Sequence, residues 1–332
     1  MICLLPAGER TTANPSDPRN SMRGVFCDEK GPRLRVDLPE PKANTSEVIL
    51  RVRMVGICDT DLQLARGYMN FRGVLGHEFV AENDAGRRVT AEINDACHQC
   101  PTCRAGRPGH CPHRTVLGIL GRDGAMADLV RVPVRNLHVI PEAIEDIEAV
   151  FIEPLAAAFR IPEQVELGPA VALAIVGDGK LGLLSAWVAR LSGARVTLFG
   201  RHPSKLALAG EGIVTHTSDH SEALAKSFDV VVDCTGSDSG LATALKLVRP
   251  CGTVVLKTTV AGQYTIDLAT IVIDEIRVVG SRCGPFPRAI AALESRQIDV
   301  RPLIGSVFDL DDAEEAFRAA ALKGARKILM TV

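Results

Sequence analysis

The fold is decided by the stretch VALAIVGDGKLGLLSAWVARLSGARVTLF, residues 171–199. Its apolar beginning, 171–176, predicts a buried strand, and a G-x-G-x-x-G motif starts directly afterwards at Gly177. The motif opens an amphipathic helix expected to reach about Ser192, and 195–199 predicts a second strand. A strand, this glycine motif, a helix and a second strand together form the βαβ unit that binds dinucleotides.

The glycine motif predicts where the phosphates of a dinucleotide bind. Glycine lets the backbone turn sharply and approach a pyrophosphate, and the N-terminus of the following helix favours an anion. The residues expected to bind the cofactor here are Gly177, Gly179, Lys180, Leu181 and Gly182.

The end of the second strand bears on the choice of cofactor. NAD-binding chains place an Asp or Glu there for the ribose hydroxyls, whereas this chain has Gly200-Arg201-His202. Without that carboxylate a 2′-phosphate is not repelled, and the Arg201 guanidinium can bind it with two hydrogen bonds. Lys205 adds positive charge one turn later. A solvated basic turn is the alternative; we expect NADP to be preferred over NAD.

Four of the ten cysteines lie close together in CHQCPTCRAGRPGHC, residues 97–111. The stretch has almost no apolar residues to bury, and four thiolates can close a tetrahedral zinc site that organises it. A redox cluster is the alternative. We predict a structural zinc, which has no open position for substrate. Its ligands are expected to be Cys97, Cys100, Cys103 and Cys111.

A second group of metal-ligand types lies upstream, in GICDTDLQLARGYMNFRGVLGHE, residues 56–78. Cys58, His77 and Glu78 offer a thiolate, an imidazole and a carboxylate, which are ligands that catalytic zinc uses. Taken alone the group is a moderate signal, because a buried cysteine and a surface His-Glu pair also occur by chance.

The order and spacing of these blocks resemble the zinc-dependent medium-chain alcohol and polyol dehydrogenases. The resemblance rests on Cys58-Asp59-Thr60-Asp61, on Gly76-His77-Glu78 and on the four-cysteine lobe, and it covers essentially the whole chain from Met22. It implies that Cys58 and His77 bind a catalytic zinc. It also implies that Glu78 acts on that zinc, either as a ligand or from behind the ligands.

The resemblance assigns further roles near this zinc. Glu153, in FIEPLAAAFR (151–160), matches a glutamate that approaches the metal in polyol dehydrogenases, directly or through water; an exposed carboxylate at a helix start is the alternative. Thr60 matches the hydroxyl that passes on the substrate proton, and Asp61 the carboxylate that orients the histidine. Asp59 stands where some relatives carry a phosphate-binding arginine, so no cofactor role is carried over to it. Tyr68 and Phe71 either line the substrate pocket or pack.

The second half of the chain carries further matches to the family. Thr258, Thr259, Ser281 and Arg282 lie in stretches that border the nicotinamide in relatives. Arg326 or Lys327 lies where relatives place a basic residue near the cofactor phosphates. For these residues ordinary loop and surface chemistry is the alternative.

We expect an α/β protein with a GroES-like, mainly β catalytic domain and a Rossmann domain with a doubly wound parallel sheet. Strands at FDVVVDCTG, GTVVLKT and IRVVGS alternate with helices, and the final DAEEAFRAAALKGARKILMTV reads as a helix plus a strand. The expected domains are 1–154 (catalytic, with 1–21 a flexible tail and Met22 a possible start), 155–283 (nucleotide-binding) and 284–332, which the resemblance returns to the catalytic domain.

Composition limits the classes of function. The chain has 332 residues, 46% hydrophobic, and a formal net charge of -2, which argues against nucleic acid or an anionic membrane as the main partner. No apolar run approaches the roughly 20 residues of a membrane span, and the N-terminus lacks a secretory pattern, so a cytoplasmic location is expected.

The expected function is that of a zinc-dependent oxidoreductase. Hydride would pass between an alcohol or polyol, or the matching carbonyl, and NADP(H), with two zinc ions per chain in a homodimer or homotetramer. The alternative is a catalytically silent nucleotide-binding zinc protein that acts as a sensor or interaction module. Substrate-lining loops vary within the family, so the sequence does not select one alcohol.

Overall fold

The computed structural model describes residues 21–257, 266 and 268–332. The expected tail therefore lies outside the described residues except for Ser21, which begins the first strand. Among the described residues, no helix combines the length and the apolar character that crossing a membrane requires.

Antiparallel strands build the first half of the chain. The strands are β1 (Ser21–Asp28), β2 (Gly31–Pro39), β3 (Glu47–Gly56), β4 (Gly73–Val74), β5 (Glu78–Glu82), β6 (Arg88–Ala91), β7 (Asn94–Asp95), β8 (Thr115–Val116), β9 (Leu129–Pro133) and β10 (Leu137–Val139). The helices are α1 (Asp59–Ala65), α2 (Pro101–Arg104), α3 (Asp146–Ala149), α4 (Ile152–Phe159) and α5 (Ile161–Gln164), with 3₁₀ turns at Tyr68–Asn70, Pro108–His110 and Val134–Asn136.

Strands and helices alternate in the second half. The elements are β11 (Ala172–Val176), α6 (Lys180–Leu191), β12 (Arg195–Gly200), α7 (Pro203–Leu206), β13 (Ile213–Thr217), β14 (Phe228–Asp233), α8 (Ser239–Leu247), β15 (Val248–Leu256), α9 (Leu268–Ile273), β16 (Arg277–Gly280), α10 (Phe286–Glu294), β17 (Ile304–Asp309), α11 (Ala313–Ala321) and β18 (Lys327–Thr331). The 3₁₀ turns are Ala207–Ala209, Ser218–Ser221, Arg301–Leu303 and Leu310–Asp312.

Six of these strands form a parallel sheet in the order β13-β12-β11-β14-β15-β16. In this order the chain runs outward from β11 in one direction and then returns to continue from β14 in the other, which is the doubly wound arrangement. The crevice at the carboxyl ends of β11 and β14 is where such sheets bind dinucleotides. The predicted α/β fold class is confirmed.

The C-terminal strand joins the antiparallel half. β18 pairs with β3, placing Met330 opposite Val55, and β3 also pairs with β5 and β9. The expected helix-plus-strand ending is thus present as α11 and β18. The exact domain boundaries stay a prediction.

Helix α6 differs from the amphipathic helix that the sequence suggests. Every residue from Gly182 to Ala189 is buried, so the helix has no broad solvent face. The reason is that β11, β12 and α4 all pack against α6. A helix enclosed on several sides needs apolar residues all round.

Candidate functional site

The start of α1 and the start of β5 bring three candidate zinc ligands together. Cys58 immediately precedes α1, and the pairing of β3 with β5 places Gly56 opposite Glu78. As a result Cys58, His77 and Glu78 each present one ligand atom, and these atoms all lie within 4.8 Å of one another. His77 and Glu78 are buried, at 3% and 1% exposure.

Asp61 lies behind this group and contacts two of its members. Its Oδ2 accepts the backbone N–H of Cys58 at 2.8 Å, and its Oδ1 lies 3.4 Å from Nδ1 of His77. Within the part of the chain that the structure describes, neither Asp61 Oδ1 nor His77 Nδ1 has another polar partner. A carboxylate at one ring nitrogen leaves the other nitrogen for a metal, as in most metal-binding histidines.

The electrostatics of the group fit a divalent cation. Burial and the neighbouring Glu78 carboxylate raise the pKa of the Cys58 thiol. Burial likewise raises the pKa of Glu153, to about 6, and the charge of Glu78 adds to this effect. Buried thiol and carboxyl groups that are costly to ionise alone are stabilised as anions by a bound metal ion. The ligand types, their burial and their spacing all suit zinc.

The structure brings Lys327 to this group. Its ammonium forms an ion pair with Oε2 of Glu78, lies 3.5 Å from the carbonyl oxygen of Ile57, and lies 5.7 Å from the ring centre of Phe151. Arg326 and Lys327 are the two candidates for a basic residue near the cofactor phosphates. Arg326 is exposed, whereas Lys327 is buried and contacts Glu78. Lys327 therefore holds one oxygen of the Glu78 carboxylate within the ligand group.

Four other residues singled out from the sequence are not part of this ligand group. Glu153 is partly buried in the first turn of α4 and is outside the set of atoms within 4.8 Å. Thr60 is half-buried in the first turn of α1. Tyr68 and Phe71 are partly buried and pack against the apolar core of the antiparallel half.

The four cysteines of residues 97–111 also converge. Their sulfur atoms lie within 4.8 Å of one another, with Cys111 Sγ 3.8 Å from Cys100 Sγ and 3.5 Å from Cys97 Sγ. Zn–S bonds of about 2.3 Å around a tetrahedral ion give sulfur separations of roughly 3.8 Å, whereas a disulfide needs about 2.05 Å. Backbone N–H groups of Gln99 and Cys100 lower the pKa of the Cys97 thiol to about 6, which favours the thiolate.

The glycine motif is folded as a phosphate-binding loop requires. Gly177 has φ of +117°, which L side chains rarely adopt, and a Cβ on Gly182 would lie 1.9 Å from the Gly177 carbonyl oxygen. Lys180, at the first turn of α6, forms an ion pair with Asp59 at 3.0 Å. Asp59 therefore binds a lysine of the loop, and this contact joins α1 to the glycine motif.

At the end of β12, sequence reasoning missed one carboxylate. Arg201 is exposed and Lys205 half-buried, while the second residue of the glycine motif, Asp178, reaches the strand end from the neighbouring loop. Its Oδ2 accepts the backbone N–H of Arg201 at 2.7 Å and that of His202 at 2.6 Å. A carboxylate thus lies at this strand end, contrary to the expectation from the sequence, although the strand itself contributes none. The sequence did contain a signal for this carboxylate, namely an aspartate inside the glycine motif together with a glycine at the strand end.

Thr258 and Thr259 lie outside the described residues. Ser281 Oγ lies 3.2 Å from the ammonium of Lys257, and the Arg282 guanidinium binds the carbonyl oxygen of Gly109 in the cysteine lobe. Lys257 was not anticipated. It is 8% exposed, and its ammonium donates to the carbonyl oxygens of Ala157, at 2.5 Å, and Arg282, at 2.9 Å.

Comparison with known sequences agrees with this geometry. Residues 44–142 match the family model of the alcohol dehydrogenase GroES-like domain, and residues 181–295 match that of the zinc-binding dehydrogenases. The chain is 28% identical to L-idonate 5-dehydrogenase of Vitis vinifera over 319 residues, covering 86% of this chain and 87% of that protein. It is 29% identical to L-threonine 3-dehydrogenase of Streptomyces avermitilis, covering 93% and 99%.

Solved structures with the same fold include two that contain a nicotinamide cofactor. A zinc-binding dehydrogenase from Sinorhizobium meliloti 1021, solved with NADP, is 29% identical with a TM-score of 0.85, covering 94% of this chain and 99% of that one. An alcohol dehydrogenase from Escherichia coli CFT073, solved with NADH, is 25% identical with a TM-score of 0.84, covering 94% and 100%.

Proposed function

We propose that this chain, a member of the zinc-dependent medium-chain dehydrogenase family, transfers hydride between a polyol or related alcohol and NADP. It is an oxidoreductase that uses zinc and a nicotinamide cofactor. Its similarity to L-idonate 5-dehydrogenase and to a sorbitol dehydrogenase of Halalkalibacterium halodurans supports a polyol as the substrate class. The observation that carries the proposal is the buried group of Cys58, His77 and Glu78 with Asp61 behind it.

Each residue of this group has a distinct task in the proposal. Cys58 and His77 hold the catalytic zinc, and Asp61 fixes the orientation of His77. When bound, zinc supplies Lewis-acid polarisation of the substrate oxygen. Lys327 holds the Glu78 carboxylate in place, so that Glu78 adjusts the charge around the ligands. Thr60, two residues after Cys58, takes the hydroxyl proton of the substrate and passes it towards solvent.

Glu153 is proposed to act at the edge of the metal group. Its pKa of about 6 leaves it ionised at neutral pH, and it can bind the metal through a water. The proposal for the cysteine lobe is a second, structural zinc, since its sulfur separations suit a tetrahedral Cys₄ site.

NADP is the proposed cofactor because the β12 strand end carries an exposed Arg201 with Lys205 one turn later. Residues 177–182 receive the pyrophosphate at the N-terminus of α6, beside the ion pair of Lys180 with Asp59. The two solved relatives contain NADP in one case and NADH in the other, so the preference rests on the residues of this chain.

We also propose that two copies associate through β16. This strand lies at the edge of the parallel sheet, and Val278 on it is 41% exposed. The adjacent α9 exposes Leu268, Val272 and Ile273. Among the described strands β16 pairs only with β15, and a strand edge of this kind beside apolar side chains is a surface that a second copy can cover. The domain division at 154/155 and 283/284 is likewise retained as a proposal.

A substrate screen tests the proposed function. Zinc-loaded protein is incubated with NADP or NAD and a panel of polyols, aldonates, aldoses, and primary and secondary alcohols, and nicotinamide reduction is followed by absorbance. The expected result is reduction with a polyol, lost after chelation and restored by zinc. Tight cofactor binding without turnover of any member of the panel would favour the silent nucleotide-binding protein instead.

A further inference from the structure

A carboxylate fills the space beside Gly200 that the strand leaves empty. A Cβ placed on Gly200 would lie 2.5 Å from both Cβ and Oδ2 of Asp178, closer than real contacts allow. The Asp178 side chain therefore occupies the position into which a side chain at residue 200 would point. This packing explains why the strand ends in glycine without reference to a 2′-phosphate.

The contacts of Asp178 keep its carboxylate at the strand end. Besides the two backbone N–H groups of Arg201 and His202, Nδ1 of His202 lies 3.0 Å from Oδ2 and 3.1 Å from Oδ1. Ser218 donates to the Gly200 carbonyl oxygen at 3.0 Å, which fixes the strand end from the other side. The turn from β12 to α7 is thus built around this one carboxylate.

Asp178 is ionised at neutral pH. Its burial opposes ionisation, but the N–H groups and ring of His202 and the N–H group of Arg201 hold the pKa of the Asp178 carboxyl below its ordinary value. Hydrogen bonds to neutral backbone groups do not cancel its charge, and at 7% exposure solvent screens it weakly. The end of this strand is where dinucleotide-binding domains place the adenosine ribose and its 2′ substituent.

We propose that Asp178 determines the cofactor selectivity of this chain. Its negative charge lies beside the 2′ position and opposes the attraction of Arg201 and Lys205 for a 2′-phosphate, so the chain accepts both NAD and NADP with only a moderate preference. The inference rests on the proposed function, since it requires a nicotinamide dinucleotide at the glycine motif.

Substituting Asp178→Asn tests the charge while keeping the shape. The asparagine carbonyl oxygen can still accept the N–H groups of Arg201 and His202, so the turn is retained. Removing one negative charge from the strand end that receives the 2′-phosphate is expected to lower the dissociation constant for NADP about three- to tenfold. The constant for NAD, which lacks the phosphate, stays the same or rises.

The measurement is equilibrium titration of NADPH and NADH by fluorescence, at one salt concentration and one mildly alkaline pH, without any turnover. Arg201→Gln should weaken NADPH binding and leave NADH binding nearly unchanged. The matched control is Glu211→Gln, which neutralises an exposed carboxylate just before the amino end of β13 and should change neither constant. Asp178→Ser, a smaller neutral replacement, must shift the ratio of the two constants in the same direction as Asp178→Asn.

The outcomes separate this inference from the proposed function. A wild type that binds neither cofactor overturns both. A wild type that binds a cofactor while Asp178→Asn and Asp178→Ser leave the NADPH-to-NADH ratio unchanged overturns only the role of Asp178. Equal weakening of both cofactors in the two variants would also overturn it, because Asp178 would then merely hold the loop.

Discussion

At the scale of single residues, Asp61 links the two ligands on which the catalytic zinc is proposed to depend. It accepts the Cys58 N–H and lies against Nδ1 of His77. Asp61→Asn keeps an acceptor for Cys58 but weakens the partner of the imidazole. Zinc affinity at this site is therefore expected to fall about ten- to a hundredfold.

The measurement is the release of zinc to a graded series of chelators, with the zinc of the cysteine lobe as an internal reference. Asp123→Asn is the matched control, because Asp123 also accepts a backbone N–H, from Val74 at 2.9 Å, and is exposed away from the ligand group. Unchanged retention of both zinc ions in Asp61→Asn would contradict the assignment.

The sequence predicts residues that act within short motifs better than residues that meet across the chain. Residue type together with the family resemblance predicts Cys58, His77 and Glu78, and the structure brings their ligand atoms together. Lys327 contacts Glu78 across 249 positions, and its direction depends on the register of β18 against β3. The fit of Asp178 beside Gly200 likewise depends on how a loop packs on a strand. An aspartate at position 200, where NAD-binding chains carry their carboxylate, would have no room in this structure.

At the scale of elements, the cysteine lobe is expected to need its own zinc. Cys100 is buried at the start of α2, in a cluster whose members are almost all the cysteines themselves. Cys100→Ser should therefore lower the melting temperature by about 5 °C or more while most turnover per folded molecule remains. Both are measured on one sample, with Cys251→Ser as the control because Cys251 is exposed and outside both metal groups. Unchanged melting with abolished turnover would mean that the two metal roles are reversed.

Lys257 gives the end of β15 a pH-dependent contribution to stability. Burial lowers the pKa of its ammonium from the ordinary 10.5 to about 8. Between these values the unfolded chain binds the proton and the folded chain does not, so this group makes the free energy of unfolding rise with pH from about 8 to 10.5. Below about 8 both states are protonated, and its contribution no longer changes with pH.

Lys257→Met removes this dependence. As pH rises from about 8 to 10, the free energy of unfolding of the wild type should increase relative to that of Lys257→Met by an amount on the order of 1–3 kcal/mol. The difference between their melting temperatures should increase accordingly. Lys246→Met, which removes an exposed lysine paired with Glu222, is the control and should show no such trend. A constant or shrinking difference for Lys257→Met would show that the buried ammonium keeps an ordinary pKa.

The parallel-sheet elements followed from local pattern, and the antiparallel half did not. β11, β12 and β14 lie within a residue or a few of the predicted runs because each is a continuous apolar strand bounded by turn residues. The burial of α6 depends on α4, which precedes the parallel sheet in the chain, so the periodicity of α6 itself could not reveal it. Strands of two to five residues such as β4 and β7 pair over long distances in the chain, and only the family resemblance pointed to them.

At the scale of the whole molecule, the apolar edge at β16 and α9 predicts self-association. Val272 and Ile273 are 73% and 77% exposed, so Val272→Lys/Ile273→Lys places two charges on the proposed interface. The wild type is expected to be a dimer or a larger even assembly by light scattering coupled to gel filtration, and the double variant a smaller species. Leu322→Lys, which alters an exposed leucine after α11, should leave the assembly unchanged. A monomeric wild type, or a double variant of unchanged size, would contradict the proposed interface.

The central claim is that Cys58 and His77 hold a catalytic zinc distinct from the zinc of the cysteine lobe. The measurement that tests it most directly is the zinc content per chain together with nicotinamide reduction, determined on the same preparations of wild type, Cys58→Ala and His77→Ala. The predicted result is two zinc ions and turnover in the wild type, and in each variant one zinc ion, normal cofactor binding and a loss of turnover of at least about a hundredfold. A wild type with one zinc ion, or a zinc-verified variant that keeps near-normal turnover, would contradict the account.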